Sequence, residues 1–128
     1  MNYQSVNEAV AALKKHQATM AAYHHALGVL YLDATTAAPS DTWEGRGKTM
    51  EIMSEITYKL STDPENDVLL SYLESHLEEL DDQTRREVEV LRKGYDQTKK
   101  VPAEEYIAYS VLTNDAQAVW AKAACYKY

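Results

Sequence analysis

Few residues of this chain could carry chemistry: four histidines, one cysteine and an excess of acids. A metallopeptidase centre needs its ligands clustered. Its common helical form sets two histidines one turn apart around a glutamate, H-E-x-x-H, so that one helix face holds the ion and a general base together. That spacing is missing from the sequence. His24 and His25 are adjacent, so on a helix they point about 100° apart, and His16 and His24 lie two turns apart, too far to share an ion. His76 and Glu79 are one turn apart, a spacing common by chance; beside Glu78 and Glu79, the simplest place for His76 is a solvated face. Cys125 has no evident base, which makes it an incidental thiol rather than a nucleophile. Gly45 and Gly47 flank Arg46 without the Lys-Ser/Thr of a phosphate-binding loop. The acids Glu74, Glu78, Glu79, Asp81 and Asp82 form a solvated run answered by Arg85 and Arg86. No residue is assigned a catalytic or metal-binding role, and no cofactor is expected in this chain.

The elements that would position any site are helical. Ser5 can cap a first helix, and Glu8 three positions later completes a capping box. Val6, Val10, Leu13, Gln17, Met20, His24, Leu27 and Tyr31 then recur at alternating spacings of four and three. That is the seam of a helix packed lengthwise, running to about Leu32. Gln17 and His24 interrupt it, either as a polar pair fixing register or as part of a groove lining in a larger molecule. A second helix starts near Asp41, with Trp43, Met50, Met53, Ile56 and Leu60 on one face. Asp63 and Pro64 open a third, carrying Leu69, Leu73, Leu77 and Leu80. "DDQT" turns the chain into a fourth, with Val88, Leu91 and Tyr95. Val101 and Pro102 precede a fifth, with a stripe of Tyr106, Tyr109, Thr113, Ala116 and Trp120. "WAKAACYKY" carries no stop signal, so the chain is expected to be part of a longer protein. Short connections favour an antiparallel arrangement. The expected fold is all-α, an antiparallel bundle of about five helices forming a single domain over residues 1–128.

Composition narrows the function classes. The net charge is −7, and an acidic surface repels phosphate backbones, so nucleic acid is not expected as a partner. No apolar run approaches the roughly 20 residues that cross a membrane. "MNYQSVNEAV" lacks the basic and apolar regions of a signal peptide. A lone cysteine fits a reducing cytoplasm. The ten tyrosines and two tryptophans, with no phenylalanine, suit thin helical layers and grooves.

The least regular stretch is "LYLDATTAAPSDTWEGRG", residues 30–47. It continues into a longer segment, "VLYLDATTAAPSDTWEGRGKTMEIMSEITYKLSTDP", that resembles the N-terminal region of the carboxypeptidase Taq family of thermostable zinc metallocarboxypeptidases. The resemblance rests on Asp33, Thr36, Pro39, Arg46 and the step Thr62-Asp63-Pro64. Further on it rests on Tyr95, Lys99 or Lys100, Val101, Pro102, Trp120 and Ala123. It covers nearly the whole chain in order. One position departs: the aromatic that usually precedes the aspartate is Leu32 here, with Tyr31 beside it. The resemblance implies a much longer helical parent that removes single residues from peptide C-termini. In that family, zinc is bound by H-E-x-x-H and a later glutamate, all beyond residue 128, and the N-terminal helices cover one side of the substrate groove. The chain by itself is then an inactive N-terminal part, whose partners are the rest of the parent enzyme and, through it, the peptide substrate.

Within this frame the residues of interest are Tyr31, Asp33, Thr36 and Arg46. Asp33 and Thr36 suit a helix junction whose turn Pro39 stiffens, and Arg46 offers a planar donor at the start of the next helix. Either the junction is architecture, or Arg46 or Tyr31 faces the groove and helps admit peptides. The competing function is a free-standing helical module that binds a partner helix. Apolar seams left uncovered, around Trp120 above all, are expected to promote self-association.

Overall fold

The computed structural model describes residues 3–39 and 41–125; the Cys125 side chain and the end of the chain lie outside the described residues. All regular structure among the described residues is helical: α1 (Val6–Thr36), α2 (Trp43–Thr62), α3 (Pro64–Glu74), a 3-10 turn (Leu77–Glu79), α4 (Asp82–Thr98) and α5 (Ala103–Cys125). The chain divides into two compact units. One takes the stretch up to Ala21 with Lys59–Val101; the other takes Ala22–Tyr58 and the stretch from Pro102 onward.

Local chemistry sets the helix starts of the first unit. The Glu8 N–H donates to Ser5 Oγ at 3.2 Å. The Glu8 carboxylate turns back one residue further than a standard box, accepting from the Gln4 N–H at 2.8 Å. Asp63 caps α3 through the Glu65 N–H at 2.9 Å, with Pro64 as its first residue. Asp81 caps α4, accepting from the Thr84 N–H at 2.8 Å and the Thr84 hydroxyl at 3.1 Å. These bonds hold the Asp81 carboxyl below its usual range.

The α3 helix stops sooner than its leucine pattern implies. The Ser75 hydroxyl donates to the Tyr72 carbonyl at 2.7 Å, and His76 Nδ1 lies 2.8 Å from the same oxygen. Side-chain bonds of this kind compete with the helical ladder and end it. The 3-10 turn then returns Leu80 to the core at 6 % exposure, while Leu77 stays 40 % exposed. His76 is not on a solvated face: it is half-buried, its ring stacked on Tyr72 at 4.3 Å.

The core of this unit is Ala9, Leu13, Leu69, Leu70, Leu73, Leu80 and Val88, flanked by Tyr3, Val10, Tyr72 and Leu91. Each fully buried leucine stabilises it by roughly 1.5–3 kcal/mol. The first half of the α1 seam therefore packs as its spacing implies. Polar groups fix the helices around it. Gln17 does not pair with His24, which is exposed; its amide donates to Glu87 Oε2 at 3.1 Å, beside the Lys14 ammonium. Arg92 binds both oxygens of Glu74, at 3.0 and 2.9 Å, as well as Asp67 and the Ser71 hydroxyl. Arg85 meanwhile donates to the Leu77 carbonyl at 2.8 Å, so α4 runs back along α3. The acid run is thus answered differently from its sequence order: Glu74 by Arg92, Asp82 by Arg85, while Arg86 pairs with Glu89.

The second unit packs on another principle. Its buried residues are small or polar: Gly47, Ser54, Thr57 and Asn114. Tyr58 and Tyr106 meet ring to ring at 5.2 Å. Many of its large apolar side chains are only half-buried, and some face outward: Leu32, Tyr109, Leu112, Val119 and Trp120 are each more than 60 % exposed. The inner line of α5 includes Tyr106, Ser110, Thr113, Asn114 and Gln117, whereas Tyr109, Ala116 and Trp120 of the expected stripe are exposed. No helix among the described residues is long and apolar enough to cross a membrane.

Candidate functional site

The irregular stretch between α1 and α2 is shorter than the sequence suggests. Instead of ending near Leu32, α1 continues to Thr36. The threonines support this extension: Thr36 Oγ1 donates to the Leu32 carbonyl at 2.6 Å, and Thr35 Oγ1 to the Tyr31 carbonyl at 3.0 Å. The Asp33 carbonyl then accepts from the N–H groups of both Ala37 and Ala38, at 3.0 and 2.9 Å, and closes the helix. Pro39 disfavours a helical backbone at Ala38, which sets the stop. The Thr42 hydroxyl donates back to the Pro39 carbonyl at 2.7 Å, and α2 starts at Trp43, two residues past Asp41. Asp33 and Thr36 therefore sit in the last turn of α1, both exposed.

The start of α2 is tied to α5 by one polar clamp. Arg46 Nε donates to Asn114 Oδ1 at 2.8 Å. Asn114 Nδ2 donates to the Trp43 carbonyl at 3.2 Å and lies 3.3 Å from Asp115 Oδ1. Asn114 is only 5 % exposed, so these bonds satisfy an amide that would be costly to bury alone. The helices approach closely here because position 47 lacks a side chain: a Cβ on Gly47 would lie 3.3 Å from Asn114 Nδ2.

Beside the clamp lies a recess of about 500 Å³. The end of α1 supplies Tyr31, Ala34 and Thr35; the turn and α2 supply Pro39, Trp43 and Arg46; α5 supplies Gln117, Trp120 and Lys122. A smaller hollow of about 120 Å³ shares Tyr31 and Arg46 and reaches Asn114. Of the residues of interest, the structure brings Tyr31 and Arg46 to one recess and leaves Asp33 and Thr36 outside its lining. Asn114 escaped the sequence reading. Its signal was the polar run "TNDAQ" in the middle of α5, where a soluble helix would otherwise show an apolar inner line.

The first unit has a hollow of about 520 Å³ bordered by Glu74, Leu77, Arg85, Arg86 and Arg92, whose arginines are already paired. Elsewhere in that unit, burial lowers the pKa of half-buried His16 despite nearby Asp63. Among the described residues, no three His, Cys, Asp or Glu side chains come together as metal ligands. His24 and His25 are exposed on α1. The described residues do not fit a zinc centre.

Residues 12–126 match the family model of the carboxypeptidase Taq (M32) metallopeptidases. Carboxypeptidase 1 of Bacillus subtilis (strain 168) is 28 % identical over 101 residues, which cover 79 % of this chain and 20 % of that protein. The chain thus spans about a fifth of that relative's length. No solved structure matches it. With a family model matched from the first turns of α1 to the end of α5, the chain belongs to the carboxypeptidase Taq (M32) metallopeptidase family.

Proposed function

We propose that this chain is the N-terminal helical part of a zinc-dependent metallocarboxypeptidase of the cytoplasm, covering one side of its substrate groove and not catalytic alone. The observation that carries the reading is the family match over residues 12–126 in a chain with no metal-ligand cluster among its described residues. In this reading the zinc, the activating glutamate and the peptide's scissile bond belong to the remainder of the parent enzyme. The outward apolar residues of α5 are surface for that remainder to cover, and the Arg46–Asn114 clamp is architecture that holds the start of α2 in place. The same exposed face would also suit a free-standing module that binds a partner helix, the second reading.

The test is release of C-terminal residues from peptides. The purified chain with zinc or cobalt should release none. A protein that joins these residues to the rest of Carboxypeptidase 1, replacing the matched region, should release them in a metal-dependent way. Chelator-sensitive release by the chain alone overturns the reading. A well-folded but inactive joined protein favours the interaction module.

A further inference from the structure

The outward face of α5 has a definite chemistry. Tyr109, Leu112, Ala116 and Trp120 recur at spacings of three and four, with Val119 beside them, and all five are exposed. On a helix this places them in one lengthwise stripe, the kind of surface on which a second helix packs. The stripe ends at the recess, where Trp120 stands with Trp43 and Tyr31. The charged lining residues there are Arg46 and Lys122, and no carboxylate lines it, although the chain as a whole carries a net charge of −7. No carboxylate is ion-paired with either cation among the described residues. Asn114 holds Arg46 Nε at 2.8 Å, which fixes the guanidinium plane and leaves the terminal amino groups to meet a planar acceptor. An apolar stripe that ends in a patch of one positive sign complements an apolar helix face that ends in a carboxylate.

We propose that one helix of the parent enzyme's remainder packs along this stripe and sets an aspartate or glutamate in the recess, on Arg46 and Lys122, with an apolar neighbour against Trp43 and Trp120. The existence of that remainder rests on the carboxypeptidase reading, in which this chain matches about a fifth of Carboxypeptidase 1. Charge selects an acidic helix over a wholly apolar one. An apolar cover would take two cations out of water with no partner, which is costly, whereas a carboxylate pairs with both. An apolar neighbour covers ring surface that is otherwise wet: Trp120 is 73 % exposed. Hydrogen bonds then run from the docked carboxylate through Arg46 and Asn114 to the Trp43 carbonyl, so the incoming helix holds α2 and α5 together.

The probe is a dye-labelled peptide of about 18 residues, long enough to be helical in water, with leucines at spacings of three and four and one glutamate in its last turn. Its counterpart carries glutamine there, and both ends of each are blocked, so no terminal carboxylate contributes. Anisotropy measures binding, and the emission of Trp43 and Trp120, the chain's two tryptophans, reports on the recess. The glutamate peptide should bind the isolated chain saturably, and the glutamine peptide about tenfold more weakly for want of the charge-assisted contact. Lys122→Gln, at an exposed position, should weaken the glutamate peptide several-fold and leave the glutamine peptide unchanged; Arg46→Gln should do the same more strongly, and Leu112→Gln should weaken both. The protein that joins these residues to the rest of Carboxypeptidase 1 should bind the glutamate peptide more weakly than the isolated chain by about tenfold or more, because its own remainder occupies the recess. Equal binding of the two peptides, no saturable binding, or an unaffected Lys122→Gln variant overturns the proposal. A joined protein that binds the peptide as tightly as the isolated chain overturns the assignment to the parent's remainder, even where it releases C-terminal residues and the carboxypeptidase reading stands. Release by the isolated chain overturns that reading and is measured apart from binding, so the two fail separately.

Discussion

Removing the Asn114 side chain should loosen the second unit by an amount the structure lets one work out. Asn114→Ala deletes one bond from a charged donor, Arg46 Nε at 2.8 Å, and one neutral bond to the Trp43 carbonyl at 3.2 Å. Bonds of the first kind are worth roughly 1.5–3 kcal/mol and of the second roughly 0.5–1.5 kcal/mol. Water reaches half-buried Arg46 in the variant, so the sum is discounted to about 2 kcal/mol. For a chain of this size that corresponds to a fall of about 8 °C in the melting temperature. Trp43 and Trp120 both lie in this unit, so tryptophan fluorescence follows its unfolding while circular dichroism follows all the helices. A double-mutant cycle with Arg46→Ala isolates the clamp, and the pair should be coupled by about 1–2 kcal/mol. If the single losses instead add to within about 0.3 kcal/mol, the clamp contributes nothing and the reasoning fails.

Three further outcomes are expected. Gly47→Ala gains about 1 kcal/mol of helix propensity but crowds the Asn114 amide, so thermal melts should show it neutral to destabilising in the native chain and stabilising beside Asn114→Ala; the same sign in both backgrounds would mean the close approach is immaterial. Hydrogen bonds from Lys14, Gln83 and Gln17 hold the Glu87 carboxyl at about 2, below its ordinary 4.5, so its stabilisation is complete above about 4.5 and is lost as pH falls toward 2. Lys14→Met should raise that value and flatten the acid limb of stability against pH, as read by melting temperatures and the carboxyl titration; an unchanged limb contradicts the assignment. Self-association through α5 should fall with Trp120→Glu more than with Glu78→Lys in sedimentation, and a clean monomer at high concentration for native chain and variants alike would count against an exposed apolar docking face.

Much of the helical framework was legible before any coordinates, because its determinants are local. A cap at Ser5 or Asp63 needs a side-chain oxygen and an N–H two or three residues on, and a period near 3.6 shows where a face must be buried. The family was legible for a related reason, since its motifs are short and occur in order along the chain. What the sequence could not decide was which polar groups meet. Arg46 and Asn114 are 68 positions apart, and Arg92 reaches Asp67 across 25. Many surface arginines and acids offer the same chemistry, and only packing selects among them. The end of α1 was misjudged because threonines can prolong a helix by bonding back to its carbonyls as readily as they can cap a turn. The faces of α5 were misjudged because its one buried residue among those described is the amide of Asn114, and periodicity of apolar residues says nothing about a contact made by hydrogen bonds. Local stereochemistry determined where the helices lie along the chain; the tertiary structure alone decided that Tyr31, Trp43, Arg46, Trp120 and Lys122 share one recess.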